Sequence, residues 1–77
     1  MEYGFITFRS VTVAQRAERI LQRGGFHGTL LRTPKKLAER GCSYCLRLRQ
    51  SVLDGAVAAL QRENVPVSGV YGGEVGL

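Results

Sequence analysis

Apolar residues recur along this chain in two alternating periods, two and about 3.6, and the changes between them outline its elements. Over Glu2 to Phe8 the alternation predicts a strand, with Tyr3, Phe5 and Thr7 on one side and Gly4, Ile6 and Phe8 on the other. Both sides are suited to burial, so the strand belongs at the centre of a sheet, and the pattern leaves open which side meets the helices. From Val13 the apolar positions fall at Val13, Ala14, Ala17, Ile20 and Leu21, the one-face spacing of an amphipathic helix. Ser10 or Thr12 can cap its start, and the Gly24-Gly25 pair supplies a left-handed residue to end it. His27 to Thr33 predicts a second strand that stops at Pro34, which lacks a ladder donor. A polar connection with one helical turn around Leu37 and Ala38 is expected over Lys35 to Gly41. Tyr44, Leu46 and Leu48 then alternate with Cys45, Arg47 and Arg49, a third strand with one apolar and one basic side. Ser51 and Asp54 fit a capping box ahead of a second helix carrying Leu53, Ala56, Val57 and Leu60, which Asn64 and Pro66 terminate. Val67 to Tyr71 is a last short strand, and residues 72–77 read as a frayed tail.

The resulting order, β-α-β-β-α-β, predicts an α+β fold: a ferredoxin-like two-layer sandwich with both helices on one side of an antiparallel sheet. Each helix stripe is one face wide, so the two must share a core, with Leu21, Leu46, Leu48, Leu53, Val57 and Leu60 expected in it. A chain of 77 residues allows a single domain over residues 1–77 whose core is modest, and oligomerisation would help its stability. This architecture hosts metal carriers, regulatory domains, RNA binders and enzymes, so function must be read from the site.

Charge localises the interest. The net charge is +5, and the stretch from Arg32 to Arg49 holds six of the eleven cations against Glu39 alone, which accounts for the whole excess. No apolar run approaches a membrane span, and MEYGFITF lacks the basic and apolar regions of a signal peptide, so a cytoplasmic protein with no membrane partner is expected.

The basic stretch brackets the two cysteines, in RGCSYCLRL. A disulfide needs Cα atoms within about 7 Å, whereas three residues of extended strand span about 10 Å. Cys42 and Cys45 therefore pair only if the chain turns at Gly41, and no native disulfide is expected. With His27 they supply at most three ligands, short of a structural zinc site, so no metal is expected, although a dimer could complete one. His27 has no carboxylate beside it in the sequence and reads as a turn or edge residue. Cys45, flanked by Tyr44 and Leu46, has the setting of a small packed hydrophobe. Cys42 differs, because it follows Gly41 in a segment that carries Lys35, Lys36 and Arg40 and leads to Arg47 and Arg49. Nearby cations favour the thiolate, which is the form that attacks or accepts. The plain alternative is a surface cysteine in a solvated basic stretch.

The first strand, the Ala14, Ala17, Glu18 and Leu21 spacing, the glycines before strand two, the Pro-containing connection and GCSYCLRL together resemble the selenium/sulfur carrier-like proteins over roughly residues 3–71. Cys42 matches that family's loop cysteine and Leu46-Arg47-Leu48 its strand end. Ser43 stands where the family has Gly, and Cys45 where it has a small residue. The resemblance implies that Cys42 carries sulfur or selenium as a persulfide or selenopersulfide between a donor and an acceptor protein. Lys35, Lys36, Arg40, Gly41, Ser43 and Arg47 would then surround the adduct, and Cys45 is open to a role as resolving thiol. Such a protein is a carrier rather than an enzyme and has no cofactor beyond the transient atom. Two other classes compete. A basic segment on such a sheet also suits RNA, although no aromatic lies between Arg47 and Arg49. A small domain with open sheet edges can also dimerise through an edge strand as an interaction module.

Overall fold

Residues Tyr3–Phe8 form strand β1, and the chain then turns at once into helix α1 (Val11–Arg23) in the computed structural model, which describes residues 3–33 and 44–72. Ser10 is the N-cap, its hydroxyl accepting from the Val13 N–H at 3.2 Å. The helix thus starts two residues ahead of the apolar stripe that predicts it. Strand β2 covers only Thr29–Arg32, and β3 covers Tyr44–Arg49 as the alternation predicts. A 3-10 turn at Gln50–Val52 leads into α2 (Leu53–Arg62), and β4 (Gly69–Tyr71) closes the order. The expected connection over Lys35 to Gly41, with its helical turn, lies outside the described residues, as do residues 73–77.

The capping box at Ser51 does not form. Ser51 lies inside the 3-10 turn, Val52 is the N-cap without a side-chain hydrogen bond, and the Leu53 N–H donates to the Gln50 carbonyl. A backbone i→i+3 bond has taken over the donor that a serine cap would have satisfied. Both helices end in the same motif. Gly25, at φ 85°, follows α1, with Phe26 N–H bonded to the Leu21 carbonyl and Gly25 N–H to that of Gln22. Asn64, at φ 57°, follows α2, with Val65 N–H bonded to Leu60 and Asn64 N–H to Gln61. These are Schellman closures, in which the left-handed residue lets two orphan carbonyls be satisfied and an apolar residue fold back.

The sheet order is β2-β3-β1-β4 with every neighbour antiparallel. It is a four-stranded antiparallel sheet with two helices, an α+β two-layer arrangement. Both helices share one face, since Ile6 and Phe8 of β1 and Leu46 and Leu48 of β3 pack in one cluster with Ala14, Ala17 and Leu21 of α1 and Leu53, Ala56, Ala59 and Leu60 of α2. Val57 is only partly buried, and Ala59 takes the inner position expected of it. Gly4 explains how closely α2 approaches: a Cβ there would lie 2.5 Å from a Leu53 methyl and 3.1 Å from the Tyr71 carbonyl oxygen. No helix among the described residues is long and apolar enough to cross a membrane.

Candidate functional site

With Ile6, Phe8, Leu46 and Leu48 committed to the helices, the pleat sends Tyr3, Phe5 and Thr7 of β1 to the opposite face, together with Cys45, Arg47 and Arg49 of β3. The register sorts this face into rows. Leu31, Cys45, Thr7 and Gly69 lie across the four strands in one row, and Thr29, Arg47, Phe5 and Tyr71 in the next. Arg49 and Tyr3 face each other beyond it.

The centre of the first row is closed to solvent, and its ends at Leu31 and Gly69 are partly exposed. Cys45 and Thr7 are fully buried, and Cys45 clusters with Phe5, Leu31 and Tyr71. The Thr7 hydroxyl donates to the Gly69 carbonyl at 3.3 Å, tying β1 to the short edge strand. Cys45 carries a free thiol. Burial pushes its pKa above the ordinary cysteine value, and the neighbouring Thr33 hydroxyl and the Arg47 charge offset this only in part. The Thr33 contact stops short of a well-formed hydrogen bond, since Thr33 Oγ1 is buried without a partner of good geometry. At neutral pH Cys45 is therefore a protonated, packed thiol, the setting expected from Tyr44 and Leu46 beside it.

That shift has a measurable consequence. An unfolded cysteine titrates near 8.5, and the folded thiol titrates higher, so below about pH 8.5 both states hold the proton and burial of the neutral thiol contributes its full stability. As pH rises further the unfolded chain releases its proton first, and stability falls until the folded thiol also ionises. Urea midpoints measured from pH 7 to 10 should decline more steeply for the wild type than for Cys45→Ala. Equal slopes would show that the thiol is not shielded.

The second row opens outward. Arg47 is half-buried, and its guanidinium carbon stands 4.7 Å from the centroid of the Tyr3 ring. This cation–π contact shields one side of the charge, and Arg47 Nε is buried without a hydrogen-bond partner. Arg49 and Tyr3 are exposed at the rim. Among the candidate site residues, the structure thus places Cys45 and Arg47 on one face in adjacent rows. Cys42, Lys35, Lys36, Arg40, Gly41 and Ser43 lie outside the described residues. His27 is exposed, and no group of three or more potential metal ligands occurs among the described residues.

Sequence reasoning overlooked a second cationic feature on the helical layer. Arg16, Arg19 and Arg23 of α1 line an open depression of about 200 Å³ with Ile20 and Glu63, and Arg16 donates to the Glu63 carbonyl at 3.3 Å. Their spacing of three and four residues sets them on one helical face, a signal that the sequence itself carries.

Neither a curated protein nor a solved structure matches the chain. A family model does, that of the proteins described as "Putative Se/S carrier protein-like", and its match runs over residues 3–72. That stretch takes in every element from β1 to β4 and the RGCSYCLRL segment, and so this chain belongs to the Se/S carrier protein-like family.

Proposed function

We propose that the protein is a carrier that takes up sulfur or selenium on Cys42 and hands it to an acceptor protein. The observation that carries this reading is the family match over residues 3–72, which spans both cysteines. The state of Cys45 favours Cys42 as the acceptor, because a buried thiol held protonated is a poor nucleophile. In the loading step the Cys42 thiolate attacks the terminal sulfur of a donor persulfide. A new sulfur–sulfur bond forms on Cys42, the donor's own sulfur–sulfur bond breaks, and the donor leaves as a thiolate, with no external oxidant or reductant. Delivery repeats the exchange with an acceptor thiolate, and selenium follows the same course as a selenopersulfide.

Lys35, Lys36, Arg40 and Arg47 are the cations assigned to hold the anionic adduct, with Gly41 and Ser43 beside the carrying sulfur. Cys45 resolves the adduct only if it leaves its buried row. The antiparallel order β2-β3-β1-β4 with two helices on one face is read as the ferredoxin-like sandwich, a scaffold that carries the reactive segment ahead of β3. The role requires no catalysis and no resident cofactor, its partners are the donor and acceptor proteins, and the cytoplasm is where exchangeable thiols of this kind operate. The test is intact mass after incubation with a small persulfide donor, for the wild type, Cys42→Ser and Cys45→Ala.

A further inference from the structure

The face of the sheet turned away from the helices carries aromatic residues that the carrier role does not use. Tyr3, Phe5 and Tyr71 stand on it with Arg47 and Arg49. Tyr3 and Phe5 thus adjoin the two arginines of β3, and Tyr71 stands on the far side of Phe5, an arrangement hidden in the sequence because both sides of β1 are apolar. Among the described residues, the carboxylates Glu18, Asp54 and Glu63 are on or at the end of the helices, so this face carries cations and no acid. Tyr3 is 37% exposed, and Tyr71, opposite Phe5, is partly exposed on the edge strand. As diagonal neighbours across antiparallel strands, Tyr3 and Tyr71 stand about 7 to 8 Å apart.

We infer that this end of the sheet is a binding surface for single-stranded RNA. A flat aromatic ring offers a stacking platform to any base, and adjacent arginines suit phosphates, a combination that an acidic peptide would not exploit. Unpaired bases are needed to reach the rings, and RNA presents them in loops, bulges and ends. Tyr3 is already engaged from one side by Arg47, which sets a cation directly beside the ring. Tyr3 and Tyr71 stack bases, Arg47 and Arg49 meet the backbone, and the closed row around Cys45 bounds the surface on the other side.

The chain has no Trp and three Tyr, of which Tyr44 packs on the helical side, so tyrosine emission reports on the surface directly. In titration with an oligouridine at low salt, emission should be quenched as the complex forms, and a duplex of the same length should bind at least ten-fold more weakly. Tyr3→Leu and Tyr71→Leu, with melting curves confirming the fold, should each weaken binding about five-fold or more, the loss expected for one stacked base. Arg49→Gln should reduce the salt slope by about 0.7, the single-strand value for one phosphate contact. Cys42→Ser should bind RNA as the wild type does, which separates this surface from the thiol chemistry. Absence of binding, equal binding of the duplex, stronger binding of single-stranded DNA, or loss on Arg16→Gln, Arg19→Gln and Arg23→Gln but not on Tyr3→Leu, would each overturn the inference.

Discussion

Replacing Phe8 by Ala is expected to remove about 3 to 5 kcal/mol of stability, as deletion of a buried aromatic ring does when its surroundings cannot collapse into the space. Phe8 is fully buried, the largest of the side chains with no exposure, and lies in the cluster shared by both helices and the two central strands. A domain of this size has a total stability of only about 5 to 10 kcal/mol, so the loss takes a large share of it. At about 4 to 8 °C of melting temperature for each kcal/mol, the transition should drop by at least roughly 12 °C. Val70→Ala is the control, because Val70 is 45% exposed on the edge strand and its truncation should move the transition little. Similar melting curves for the two variants would mean that the core described around Phe8 is wrong.

Loss of sulfur loading in Cys42→Ser should be complete. After incubation with the persulfide donor, the wild type and Cys45→Ala should gain the mass of one sulfur atom, reversibly on reduction, and Cys42→Ser none. Cys45 cannot stand in, since its thiol is buried and its pKa raised by desolvation, which leaves very little thiolate at neutral pH. The cationic neighbours give the experiment a second arm. If Lys35, Lys36 and Arg40 favour the Cys42 thiolate, replacing all three by Gln should shift the pH profile of Cys42 alkylation to higher pH, with added salt acting in the same direction more weakly. Loading on Cys45 in place of Cys42 would remove the carrier reading, whereas failure of the charge arm alone would leave the carrier and discard the collar.

The elements were largely legible because their signals are local. The stripe on α1, the Gly24-Gly25 terminator and the alternation of β3 each need only a few neighbouring residues, and all three are present in the structure. The side of β1 that meets the helices was not legible, since Tyr3 and Phe5 compete with Ile6 and Phe8 on equal terms and the choice is made by partners distant in sequence. Ser51 misled for a similar reason: a good cap residue was present, but the chain leaves β3 through a tight turn that satisfies the backbone first. The site was legible in part. Flanking residues placed Cys45 inside and Arg47 outside, whereas the contact of Arg47 with Tyr3 crosses between strands and leaves no trace in either segment alone.

Strand order also sets a timetable for folding. β1 leaves the ribosome before the other three strands, yet its two sheet neighbours are β3 and β4, and Phe5 pairs with Arg47 on one side and Tyr71 on the other. Helix α1 and the ladder between β2 and β3 can begin from nearer contacts, but the middle of the sheet waits for residues 36 to 66 positions later in the chain. Closing such long loops costs entropy before any ladder bond rewards it, which slows the rate-limiting step. During synthesis the apolar strand Tyr3–Phe8 is therefore made early and covered late, the interval in which a nascent chain is most exposed to mispairing and to capture by chaperones.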